Sequence, residues 1–102
     1  MLHRFKYRSL LLFQLLWSTT LFSQSLDSLI VEYQQEQIDT NRIELLIKIG
    51  KKLYGSQPDS AIHYFDMGLD LCKNGDHPSL QAELMHQKGV AIDIKGEEEA
   101  LE

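Results

Sequence analysis

Two glycines set inside helical patterns restrict this chain more than any other feature. Gly50 and Gly89 stand 39 residues apart, Ala61 and Ala100 repeat that spacing, and each glycine precedes its alanine by 11. A glycine in mid-helix costs about 1 kcal/mol of helix propensity relative to alanine. Its presence predicts a neighbour packed too close for a side chain. A repeated order of glycine, break and small residue predicts helical hairpins, each able to bury its apolar face only against the next.

Hydrophobic spacing places the helices. Leu26, Leu29, Ile30 and Tyr33 recur at i, i+3, i+4 and i+7, which predicts a first helix over about 26–37 with Ser25 as its cap. A second is predicted over about 42–54. Thr40 or Asn41 can cap it, Asn41 and Glu44 having capping-box spacing. Its apolar surface is broad: Ile43, Leu46, Ile47, Ile49, Leu53 and Tyr54. Pro58 suits the first position of a third helix, which has no N–H bond to lose there. Ala61, Phe65, Gly68 and Cys72 form its stripe, and Asn74-Gly75 is expected to end it through a left-handed glycine. A fourth runs from about Pro78 to Lys95, where Gly96 is expected to stop it. Glu97, Glu98 and Glu99 then read as the acidic start of a fifth. No sustained period-2 alternation competes, so the fold class is all-α.

The N-terminus reads as an address. His3, Arg4, Lys6 and Arg8 come without an acid, an apolar run from Ser9 to Phe22 follows, and small polar residues close it. This is the layout of a secretory signal, and the run is short of the roughly 20 residues of a membrane span. Cleavage after Ser23 or after Ser25 both fit; an uncleaved amphipathic or buried helix is the other reading. Removing 23 of the 102 residues leaves 79, and with Arg4, Lys6 and Arg8 gone the formal charge moves from -5 to -8. The predicted division is therefore a signal over 1–23, a leading helix over 24–40, a first hairpin over 41–75 and a second, cut short, over 76–102.

Composition excludes several functions. At 102 residues the chain holds one domain, and 43% hydrophobic with 25% charged residues is ordinary for a globular protein. An acidic excess is wrong for nucleic acid, which demands basic surface. The single cysteine, Cys72, excludes an internal disulfide framework and is expected to be a small buried group, with an intermolecular thiol as the rival. His63 and His86 fall on different helices and His77 in a turn, so no metal-binding spacing exists. Neither a phosphate-binding glycine loop nor a nucleophile motif occurs. Asp66 and Asp70, one turn apart, read as a solvated acidic face. No cofactor, metal or catalytic residue is expected, and the chain is read as no enzyme.

Leu46 to Cys72 resembles a tetratricopeptide repeat (TPR). Leu46, Ile49, Gly50 and Leu53 match the pattern of its first helix, and Ala61, Phe65 and Gly68 that of its second. The segment YGSQPDSAIHYFDMGLDLCKNG is similar to those of exported bacterial TPR proteins, where Pro-Asp opens the second helix. Three departures stand out. Leu46 replaces the usual aromatic, the turn is one residue short, and Lys88 occupies a customarily apolar place. The resemblance implies an incomplete solenoid, since about three repeats make a stable array. It assigns repeat packing to Leu46, Gly50, Leu53, Ala61, Phe65, Gly68, Gly89 and Ala100.

The same resemblance implies a concave groove lined by the first helix of each unit. With the glycines as register marks, Glu44, Ile47, Lys51 and Tyr54 point into it from one unit, and Glu83, His86, Val90 and Asp93 from the next. The rival reading makes these ordinary exposed or inter-repeat positions. Only Lys51 could serve a carboxylate clamp, so an extended or helical peptide is the expected guest. The leading expectation is a non-catalytic scaffold that is exported, periplasmic or secreted, binds protein or peptide, and meets membrane only through its signal during export. The alternative is the N-terminal periplasmic sensory part of a longer signalling protein of histidine-kinase or regulator type. A small exported enzyme is a third and weaker reading.

Overall fold

Four helices follow one another through residues 24–101, the part of the chain that this computed structural model describes. They are α1 (Leu26–Gln35), α2 (Asp39–Leu53), α3 (Pro58–Cys72) and α4 (Pro78–Leu101). There is no strand among the described residues. The fold is all-α, as the periodicity predicts. The signal reading of residues 1–23 lies outside the described residues.

Local chemistry sets most of the boundaries. The Ser25 hydroxyl accepts from the Ser28 N–H at 3.2 Å, satisfying one of the orphan donors at the start of α1. Pro58 opens α3, with the acid of Asp59 beside the positive helix end. α2 departs from expectation. It starts at Asp39, three residues early, and neither Thr40 nor Asn41 caps it. The Ile38 carbonyl instead accepts from Arg42 N–H at 2.9 Å, and the Glu36 carboxylate accepts from the Gln37 and Ile38 N–H groups, each at 3.1 Å. Glu36 therefore holds the connector, and α1 closes at Gln35 rather than Gln37.

The end of α3 also differs in mechanism. No glycine among the described residues has a positive φ. The helix tightens instead: Lys73 N–H reaches Asp70 O at 3.2 Å, and Asn74 and Gly75 N–H reach Leu71 and Cys72 O, both at 3.4 Å. These are the i→i+3 bonds of a 3₁₀ finish.

Consecutive helices pack as hairpins, and α4 touches both α3 and α2. The α3–α4 pair runs antiparallel. Late residues of α4 meet early ones of α3: Lys95 Nζ lies 2.8 Å from Asp59, Lys88 Nζ 2.7 Å from Asp66, and Leu84 lies against Gly68. The core takes Leu29 from α1, Ile43, Leu46, Ile49 and Leu53 from α2, Ala61, Phe65 and Cys72 from α3, and Leu84 and Ala91 from α4. α2 is the most enclosed helix. Leu45 and Ile47 are buried as well, because α1, α3 and α4 all contact it.

Two close approaches organise the stack. A Cβ at Gly50 would sit inside the Phe65 ring, and a Cβ at Gly68 would lie 2.7 Å from Leu84 Cδ2. Each glycine admits a large side chain from the following helix. Gly89 does not repeat this. A Cβ there would meet nothing within 4 Å.

The expected stop at Gly96 is absent. α4 runs unbroken through it to Leu101, so the second hairpin has no turn, and Ala100 is exposed rather than packed. Gly96 keeps right-handed helical geometry. Lys95 holds the helix on either side of it, bound to Asp59 of α3 and 3.9 Å from Glu99 one turn on. Glu97–Glu99 thus lie in the late turns of a helix, not at the start of one.

Candidate interaction surface

The helices set out two stripes of four residues. On α2 Glu44 and Lys51 are exposed and Ile47 is 8% exposed, and Tyr54, the residue that ends the helix, is half-buried. Ile47 is a core residue and offers no surface to a partner. The reason is the enclosure of α2 on three sides, which a two-helix comparison does not reveal. On α4, Glu83, His86 and Asp93 are exposed and Val90 is half-buried. Within this set the hydrogen bond seen is local: Gln87 Nε2 donates to Glu83 Oε1 at 3.0 Å. The remaining polar groups, Glu44, Lys51, His86 and Asp93, face solvent on two helices that touch each other.

Several acids are engaged elsewhere. Asp66 pairs with Lys88 across the α3–α4 interface, and Asp70 with Lys73 at 3.1 Å. Lys88, out of place for the TPR pattern, is thereby explained. It trades apolar contact for a cross-helix ion pair, half-exposed and worth no more than about 1 kcal/mol. Arg42 serves a similar tie on the other side. Its guanidinium lies 5.1 Å above the Tyr33 ring and donates to the Tyr33 hydroxyl at 3.1 Å, joining α1 to α2.

An open cleft of ≈ 450 Å³ lies where the α2–α3 turn faces the end of α4, between Ser56–Ser60 and Lys95, Glu98 and Glu99. Its one cation is already used. The hydrogen bond to Asp59, with that carboxylate's charge, holds the Lys95 ammonium above its usual range. Sequence reasoning missed this cleft, because it depends on α4 continuing past Gly96.

Among the described residues no group of three or more His, Cys, Asp and Glu side chains could hold a metal ion, and no helix is long and apolar enough to cross a membrane. Cys72 is buried, and its surroundings push the thiol above its ordinary value. No protein-family model matches this chain, and no curated protein or solved structure matches it.

Proposed function

We propose that this chain is a non-catalytic binding segment of TPR type, exported from the cytoplasm, whose α2 and α4 together receive a peptide or an exposed protein segment. One observation carries the reading. The two helices that the 39-residue register equates lie in contact, each with an exposed mixed-charge stripe, while α3 takes up the Gly50 and Gly68 contacts. Helices so arranged offer an amphipathic face rather than a pocket, which suits an extended or helical guest. Glu44 and Lys51 on one side, and Glu83, His86 and Asp93 on the other, are the groups that would read it. Export rests on the basic, then apolar, then small-polar order of residues 1–23.

Selection from a displayed library of random peptides tests the reading. Enriched peptides should lose affinity about tenfold, roughly 1.4 kcal/mol, on Lys51→Glu, and should be indifferent to Lys73→Glu on the far end of α3. No enrichment, or equal loss in both variants, would sink it.

A further inference from the structure

α4 carries a second apolar face that no other helix among the described residues covers. Its core side is Leu84, Gln87 and Ala91. On the opposite side Ala82, Met85, Gly89, Ile92 and Gly96 follow one another at intervals of three and four, the a/d spacing of a coiled-coil seam. Met85 is 59% exposed and Ile92 49%. Side chains added at Gly89 or Gly96 would meet nothing within 4 Å. The small residues occupy one seam position and the large ones the other.

We propose that this face binds a second copy of the chain, α4 against α4 and antiparallel, with Ile92 of each helix seated over Gly89 of the other and Met85 over Gly96. The alternation of size selects this occupant. In an antiparallel seam each a position faces a d position, so every large side chain meets a glycine. A parallel pair would stack glycine on glycine and leave voids, which close-packed interfaces avoid. The contact is self-complementary about a two-fold axis, the commonest symmetry of homo-oligomers.

Charge agrees with this orientation. His86 and Asp93 border the seam on one side, and reversal brings each towards the other's counterpart in the second copy. On the other border Lys88 and Lys95 would approach their counterparts, but Asp66 and Asp59 of the same chain already pair with them. The seam spans only about 17 Å of helix from Met85 to Gly96, so association belongs to the weak class of interfaces. The seam residues are not among those of the peptide-reading stripe, although His86 and Asp93 border both; the proposal does not rest on peptide binding, and Gly89→Leu tests it alone.

Sedimentation velocity of the chain as recovered from expressing cells, from micromolar to near-millimolar concentration, is the first test. A reversible monomer–dimer equilibrium is expected. Gly89→Leu should weaken it about tenfold or more by filling the slot for Ile92, without lowering the monomer's helicity or melting temperature, since the slot is open within one chain and leucine is the better helix former. Cysteine trapping fixes the orientation independently of that variant. Chains with Met85→Cys mixed with chains with Gly96→Cys should form a mixed disulfide far faster than either alone. A monomer at every concentration, an unchanged dimer in Gly89→Leu, or preferential Met85→Cys self-coupling would each overturn the proposal.

Discussion

Gly50 and Phe65 show how a single atom sets the geometry of the stack. The absent Cβ lets the aromatic ring of α3 lie on the backbone of α2, and Phe65 is fully buried as a result. Cys72, on the same stripe of α3, is a residue whose environment gives a pH signature. Burial disfavours the thiolate and raises the thiol above its ordinary 9.0. The folded chain then keeps a proton that the unfolded chain releases, so this contribution to stability is present below 9.0 and falls as pH rises through it. Urea midpoints from about pH 8 to about pH 10 should therefore drift in favour of Cys72→Ala over the unmodified chain. A constant difference between the two would contradict the buried assignment. Both of these residues were legible in the sequence, Gly50 from its cost in mid-helix and Cys72 from the stripe it completes. Ile47 was not. It is buried in a helix that all three other described helices contact, a fact of tertiary packing that periodicity along one helix does not contain.

The helices themselves follow the sequence where caps and spacing agree. Ser25 and Pro58 each mark a start by a mechanism visible in the residue type, and Ser25→Ala should cost α1 about 1 kcal/mol, read as a lower melting temperature with earlier loss of protection in its amides. The misread boundaries share a cause. At Ile38 and at Gly96 the outcome is set by contacts distant in sequence or by a neighbouring carboxylate, not by the residue at the boundary. Gly96 is the sharper case. As a left-handed stop it would resist substitution. As a helical residue in open space, which it is here, it should accept alanine with a gain of up to about 1 kcal/mol. Destabilisation by Gly96→Ala in a urea titration would show that α4 breaks there after all.

Across the whole molecule, stability flows from α2 outward. That helix is buried against the other three, while α4 is buried on one side and open on the other. The 39-residue spacing is plain in the sequence, but its two copies are not equivalent in the fold: α4 has no break at Gly96 and Ala100 is exposed. Gly50 has its large neighbour and Gly89 does not. The reason is physical: Gly89 needs a helix on the outer side of α4, and no such helix lies among the described residues. The groove assignment is a reading of the resemblance, and the fold decides only which of its residues reach solvent. Lys51, His86 and Asp93 are exposed, which a groove and an ordinary solvated face share, whereas the cleft by Lys95 follows from the continued α4 and had no signal in the sequence. The most direct test of this account compares Gly50→Ala with Gly89→Ala by thermal unfolding at low micromolar concentration. The same substitution should act with opposite signs: about 1–3 kcal/mol of overpacking against Phe65 outweighs the helix-propensity gain at Gly50, while Gly89→Ala gains up to about 1 kcal/mol. Equal stabilisation at both positions would mean that the Phe65 ring does not rest on α2, and the hairpin stack described here would be wrong.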